Sequence, residues 1–179
     1  MTHFSILTLA DYGPDHEIDI ALHAFVNLQR SVTPKHRKRI CYKVAYLKKN
    51  LIVSYSLSDG YNIKKESDHF SASQVEVIVS EADIAIIPAG GMAKKMAVVS
   101  LQAGIPVLGY ESYSLRNLVT SDCGILIPYR HRQDNVNQLS EILQQLYYDP
   151  GARFFLKQSV QKQHRNCHTL SSKQKKLSP

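Results

Sequence analysis

The stretch EADIAIIPAGGMAKKMAVVSLQAGIPVLGYES, residues 81–112, decides the fold by the order of its parts. DIAII (83–87) is an unbroken apolar run, as expected for a strand in a parallel sheet covered on both faces. PAGG (88–91) is turn chemistry, and MAKKMAVVSLQA (92–103) reads as a helix. Gly104 stands where helices end on a left-handed residue, and Pro106 follows at the usual distance. IPVLGY (105–110) is then a second buried strand. Strand, glycine turn, helix, glycine stop, strand is how a nucleotide-binding half of an α/β protein is often built. The functional question is which charged side chains accompany it.

The same alternation continues outward on both sides. FSILTLA (4–10) is a short apolar run fit for a buried strand, and DYGPD (11–15) is a turn. A helix follows, capped by Asp15 and ending near Ser31, with Ile18, Ala21, Leu22, Phe25 and Leu28 on one face. Residues 35–49 keep helical spacing at Ile40, Val44 and Leu47, although RICYKVAY also alternates as a strand would; the spacing favours a helix. LIVSYSL (51–57) is a strand, SDGYNIKKESDH (58–69) a polar loop, and SASQVEVIVSEA (71–82) a short helix capped by Ser71 or Ser73. Toward the C-terminus, SLRNLVT (114–120) is a helical turn and GILIPY (124–129) a strand. NVNQLSEILQQLYYD (135–149) carries an apolar stripe of Val136, Leu139, Ile142, Leu143 and Leu146, and PGARFFLKQSVQKQH (150–164) is a second helix after a Pro-Gly break.

This pattern predicts a doubly wound parallel sheet with helices on both faces, Rossmann-like in plan. It forms one domain over residues 1–165, followed by a basic, disordered tail over 166–179. In such folds ligands sit outside the carboxyl ends of the strands, which groups DYGPD, PAGG and YESYS around one crevice.

Composition narrows the classes. With 179 residues, 44% hydrophobic and 21% charged, the chain has the material for one globular domain with a sizeable core. No window approaches the roughly 18–20 apolar residues of a membrane span. MTHFSILTLADYG has no basic n-region and no small-residue cleavage site, so a cytoplasmic location is expected. Cys41, Cys123 and Cys167 are far apart, without a C-x-x-C pair, and read as reduced thiols. The net charge of +7 concentrates in PKHRKR (34–39), in Lys48 and Lys49, and in the tail. It reads either as a solvated face with a charged tail or as attraction to an anionic membrane surface, giving peripheral contact. No zinc-finger spacing, RRM signature or KH loop accompanies it, so nucleic acid is not the expected partner. His16 and His23 lack a third ligand at suitable spacing, so no metal is expected. Ser100 and Ser112 lack the Gly-x-Ser-x-Gly setting of a hydrolase nucleophile.

The fragments, in their order, resemble the C-terminal, nucleotide-sugar-binding half of GT-B glycosyltransferases, especially retaining enzymes of the family-4 type. EADIAIIPA resembles that family's strand ending in Pro-Ser, and QAGIPVLG its Gly-x-Pro-Val segment. LVTSDCGILIP resembles its Leu-Val…Gly-x-Leu-Val-x-Pro segment, and LSEILQQLYYDPGAR its closing helix ending in Asp-Pro and an Arg. FSILTLADYGPDHEIDIALHAF resembles, more distantly, its first strand, phosphate-facing loop and helix, while residues 30–70 do not match. The resemblance implies a nucleoside-diphosphate sugar as donor, no metal or other cofactor, and a second GT-B domain to hold the acceptor.

The family's charged positions are not kept. The Arg and Lys that hold the diphosphate fall at Asp11 and His16, and the two carboxylates for the sugar and ribose at Gly91 and Val99. A further Glu falls at Asn117. The sequence therefore offers a relocated site. Gly90 and Gly91 allow close backbone approach to a phosphate, Lys94 and Lys95 supply charge at the helix start, Glu111 is placed for a hydroxyl, and His16 for the diphosphate when cationic. The competing reading is a tight structural turn with solvated lysines, in a non-catalytic GT-B-like scaffold that acts through a protein partner or a second copy of itself. A third is a small Rossmann-like enzyme cleaving nucleotide N-glycosidic bonds, although MAKKMA lacks the Gly-Thr and Glu that such enzymes place there.

Overall fold

A computed structural model describes residues 3–10, 16–49, 51–57, 63–71 and 74–175. The elements in chain order are β1 (Phe4–Ala10), α1 (His16–Ser31), α2 (Pro34–Arg37), β2 (Ile40–Tyr46), a 3-10 turn (Leu47–Lys49), β3 (Leu51–Leu57) and β4 (Ile63–His69). They continue with α3 (Val75–Ser80), β5 (Ile84–Ile87), α4 (Ala93–Gln102), β6 (Val107–Tyr110), α5 (Tyr113–Arg116), β7 (Gly124–Ile127), α6 (Arg132–Tyr148) and α7 (Pro150–Lys175).

The seven strands form one sheet in the order β4-β3-β2-β1-β5-β6-β7. β1 pairs in parallel with β2 and β5, and β5, β6 and β7 continue in parallel. Counted in chain order, the five parallel strands run 2-1-3-4-5, a doubly wound arrangement. Period-2 alternation sends successive side chains to opposite faces. Phe4 and Ile6 of β1, Ile84 and Ile86 of β5, and Leu108 of β6 pack against α1 and α6. Leu7 and Leu9, Ala85 and Ile87, and Val107 pack on the other face against α4 and α5. Helices thus cover both faces. The buried hydroxyl of Tyr42 donates to Thr8 Oγ1 at 2.9 Å, which satisfies a polar pair inside the first core.

α7 ties the two faces together: Leu156 belongs to the first core and Val160 to the second. At its start Arg153, buried and 4.8 Å over the Phe4 ring, donates to the carbonyls of Leu146 and Tyr147. These are orphan acceptors at the end of α6, so the Arg that follows Asp-Pro is a helix cap supplied by the next helix. Gly104, at φ 77°, ends α4 as its position suggested.

Three expectations are corrected. Residues 35–49 are not a helix: only Pro34–Arg37 is helical, and Ile40–Tyr46 forms β2. β2 lies between β1 and β3, and a strand with neighbours on both sides gains pairing that overrides a marginal helical spacing. Within the stretch expected as a polar loop, residues 63–69 form β4, antiparallel to β3 from Leu51↔His69 to Leu57↔Ile63, and 58–62 lie outside the described residues. The sheet is accordingly mixed, since β3 also runs antiparallel to β2. The helix of 71–82 shortens to Val75–Ser80 with Gln74 at its N-cap; Gln74 Oε1 accepts the Ser71 N–H at 2.8 Å, and Ser73 lies outside the described residues. α7 is helical from Pro150 to Lys175, and 176–179 are outside the described residues.

Candidate functional site

The chain leaves β1 through α1 on one face and leaves β5 through α4 on the other, so the winding reverses between β1 and β5. A crevice opens at the carboxyl ends of strands where such a reversal occurs. Its floor includes the turn after β5. Gly90 takes φ 137°, a backbone state that L side chains rarely adopt, and its carbonyl accepts the Ala93 N–H at 3.1 Å. A Cβ at Gly90 or Gly91 would meet nothing within 4 Å. Internal packing therefore does not demand glycine at 91, and the space above the turn is open.

α4 begins without a side-chain cap, for Met92 at the N-cap position makes none, and its first turn contains no acid. Lys94 and Lys95 lie in that turn and are exposed. Cations there oppose the positive end of the helix dipole, typically by about 0.3–1 kcal/mol each. An anion at the turn would reverse that sign, since it would meet backbone N–H groups and both lysines together.

Three residues not singled out in the sequence complete the crevice. Glu17, in the first turn of α1, accepts a hydrogen bond from the Ala89 N–H across the switch point. Burial holds its carboxyl above the ordinary carboxylate value, with the Ala89 bond pulling the other way. Its Oε2 is buried and has no hydrogen-bond partner among the described residues. Tyr110, the last residue of β6, is 3% exposed, and its hydroxyl is likewise buried without a partner among the described residues. Burial, then the nearby Glu17 charge, then Tyr129, raise its pKa, so the phenol stays protonated at any ordinary pH. Tyr129 stands edge-on to Tyr110 with ring centroids 5.0 Å apart and is 55% exposed. An unpartnered buried polar group costs about 1–3 kcal/mol, and Glu17 and Tyr110 each carry one such atom. The sequence held one trace of this: IPVLGY and GILIPY are apolar runs that both end on Tyr.

Of the residues expected at the site, Gly90, Gly91, Lys94 and Lys95 share one turn at the switch point. Glu111 does not join them as a free acceptor. Its Oε2 is 2.7 Å from Arg116 Nη2 in an exposed ion pair within the β6–α5 connection. His16 opens α1, but its side chain lies outside the described residues, as do Asp11 and the rest of DYGPD. Val99 lies toward the end of α4, and Asn117 donates to the Tyr113 carbonyl at 3.3 Å. Ser112 caps α5 by accepting the Leu115 N–H. Among the described residues no group of three His, Cys, Asp or Glu is arranged to hold a metal, and no helix is long and apolar enough to cross a membrane.

A separate groove of about 610 Å³ lies between β7, α6 and α7, lined by Ile125, Ile142, Leu146, Tyr148, Phe155 and Leu156 among others. Phe155, in its lining, is exposed. The groove is apolar and away from the crevice, so it is not part of the charged site.

No family model matches the chain, and no curated protein is significantly similar to it. Among solved structures, an AraC family transcriptional regulator from Pseudomonas putida matches 89% of this chain and 98% of its own, at 11% identity and a TM-score of 0.46. A diflavin flavoprotein A3 from Nostoc sp. matches 93% of this chain and 97% of its own, at 14% identity and a TM-score of 0.39. Likenesses of this degree carry no functional argument. The doubly wound α/β fold stands on the strand order and the two helical faces.

Proposed function

We propose that the chain is a donor-binding domain of the GT-B glycosyltransferase type, which holds a nucleoside diphosphate, or the sugar nucleotide carrying it, at the turn of residues 88–95. The observation that carries this is the start of α4: an uncapped helix N-terminus with two exposed lysines and two open glycines at the switch point. Together they supply positive potential, backbone donors and room, which is what a diphosphate requires. In retaining transfer of a hexose, a group placed here stabilises the leaving diphosphate, and positioning and electrostatics supply the catalysis without a covalent nucleophile. Transfer also needs an acceptor-binding half from a second domain, another polypeptide or another copy. The isolated chain is therefore expected to bind donor and not turn it over.

Calorimetric titration with UDP, GDP and ADP, at low and moderate salt, tests this. One nucleotide should bind, more weakly as salt screens the lysines. The Lys94→Ala/Lys95→Ala variant should lose at least about tenfold in affinity, roughly 1.4 kcal/mol. Binding by none of the three would sink the proposal. It would favour the second reading, a GT-B-like scaffold acting through a protein partner. That reading draws on the apolar groove at β7, α6 and α7 with Phe155 exposed in its lining.

A further inference from the structure

Parallel strands give the sheet two unlike poles. The crevice lies at the carboxyl ends. The amino ends of β1 and β2 are bordered by residues 30–39, where the Arg39 carbonyl accepts the Phe4 N–H at 2.8 Å. Between Asp19 and Asp59 the chain has no acidic residue and eight lysines and arginines, five of them in residues 30–39. Arg30 is in the last turn of α1, where a cation suits the helix dipole, and Arg37 Nε donates to the Gln29 carbonyl at 2.9 Å. Lys35 and Lys38 are exposed, and neither has a carboxylate partner among the described residues. Three acids at this pole are engaged by the fold. Asp83 Oδ2 accepts the Ser5 N–H at 2.8 Å, Glu81 pairs with Lys43 at 3.4 Å, and Asp149 Oδ1 accepts the Ala152 N–H at 2.9 Å. Aromatic side chains adjoin the cations. The His36 and Tyr147 rings lie 6.0 Å apart, and Tyr147 lies 5.1 Å from Tyr148, which is exposed at the end of α6. α7 starts beside them: Arg153, over the Phe4 ring, donates to the Leu146 and Tyr147 carbonyls, and the next residue, Phe154, is 65% exposed. α7 then crosses beneath the amino ends of β5 and β6, since Lys157 Nζ donates to the Ala82 carbonyl at 3.0 Å and Gln161 lies against Gly104. The face made by residues 30–39, the end of α6 and the start of α7 thus lies opposite the crevice.

We propose that this face docks on an anionic lipid bilayer, with Lys35 and Lys38 among the head groups and Phe154 and Tyr148 in the interface. An anionic bilayer attracts a basic surface over its whole area, and exposed rings beside the cations gain by leaving water there. Tyrosine, with a polar tip, suits head-group depth. A small phosphate compound is held in an enclosed site, whereas these lysines are spread over an open surface. A nucleic-acid strand stacks its bases on flat aromatic platforms. Phe154 and Phe155 follow each other on a helix and point about 100° apart, so they form no such platform. Docked in this way, the chain turns its crevice to the aqueous side. The proposal therefore stands apart from the donor-binding reading and does not need it.

Co-sedimentation of the full chain with vesicles tests this, using phosphatidylcholine alone and phosphatidylcholine with roughly 30% phosphatidylglycerol. The chain should sediment with the anionic vesicles, stay in solution with the neutral ones, and bind more weakly as salt rises. Lys35→Ala/Lys38→Ala, shown folded by circular dichroism, should lower the partition coefficient at least about tenfold. Arg130→Ala/Arg132→Ala removes the same charge from exposed side chains at the opposite pole, around the start of α6, and should change it less than about twofold. The chain has no tryptophan, so Phe154→Trp puts a single emitter on the face. Its emission should move to the blue on vesicle binding and be quenched by brominated acyl chains. Vesicle binding that ignores lipid charge, that Lys35→Ala/Lys38→Ala retains in full, that Arg130→Ala/Arg132→Ala loses equally, or that leaves the emission unmoved overturns the proposal. So does an absence of vesicle binding. If lysine-dependent binding is then found with a fluorescein-labelled DNA duplex or a uridine oligoribonucleotide, the partner of this face is nucleic acid instead.

Discussion

Gly91 and Gly124 are both glycines beside the sheet, and they answer to different constraints. A Cβ at Gly124 would run into the backbone carbonyl oxygen of Val107 and approach Val119 Cγ1 at 2.6 Å. The carbonyl belongs to the neighbouring strand and has no rotamer by which to retreat. Gly124→Ala should lower stability in urea by about 1–3 kcal/mol, as overpacking does. Gly91→Ala should change it by less than about 0.5 kcal/mol, since nothing lies within 4 Å, while weakening diphosphate binding at the turn. A large stability loss at Gly91 would mean that the turn itself demands the glycine. The same contrast explains what could be read from the sequence at this scale. Glycines and lysines announce a phosphate turn by composition within a few neighbours. Glu17 has no such local mark, because its surroundings come from Ala89 and Tyr110, which only the folded sheet brings to it. Glu111 was the opposite case: well placed along the chain, but held by Arg116 five residues on.

Among elements, β4 shows how a strand escapes recognition. Strands are found by alternation, and alternation requires one covered face. In IKKESDH every residue from Lys65 to His69 is exposed, so successive positions share one environment and no period appears. β2 failed for a related reason, since its apolar residues fit two periods and only the neighbouring strands decide between them. The buried parallel strands β1 and β5 were legible because an unbroken apolar run is what burial on both faces produces. The polar content of β4 also has a use, because charged side chains on an edge strand discourage pairing with other chains. Lys65→Val/Asp68→Val should leave the fold intact but promote association, seen as rising light scattering at concentrations where the parent chain stays clear. Unchanged scattering would show that the edge is protected by something other than its charge.

Over the whole molecule, two apolar cores share a single sheet, and the same strands contribute alternate residues to each. Neither core can come apart without exposing the other's strands, so they should unfold together. The chain contains reporters for both sides. Tyr42, Tyr55 and Tyr110 lie in the first core, with no tryptophan to mask their emission, and Cys123, fully buried, lies in the second. In a Cys41→Ser/Cys167→Ser background, the urea dependence of Cys123 alkylation should superimpose on that of tyrosine fluorescence. Separate midpoints would indicate that the α4 face opens on its own. The sheet also ends differently on its two sides, in charged β4 on one and in the short aliphatic strand β7 on the other. Strand-to-strand growth therefore has a single address. A head-to-tail chain of molecules would need β7 of one to accept β4 of the next, where the charges stand guard, whereas two molecules meeting β7 to β7 use up the receptive margin that the described strands leave on each. Any assembly built through this sheet stops at a pair.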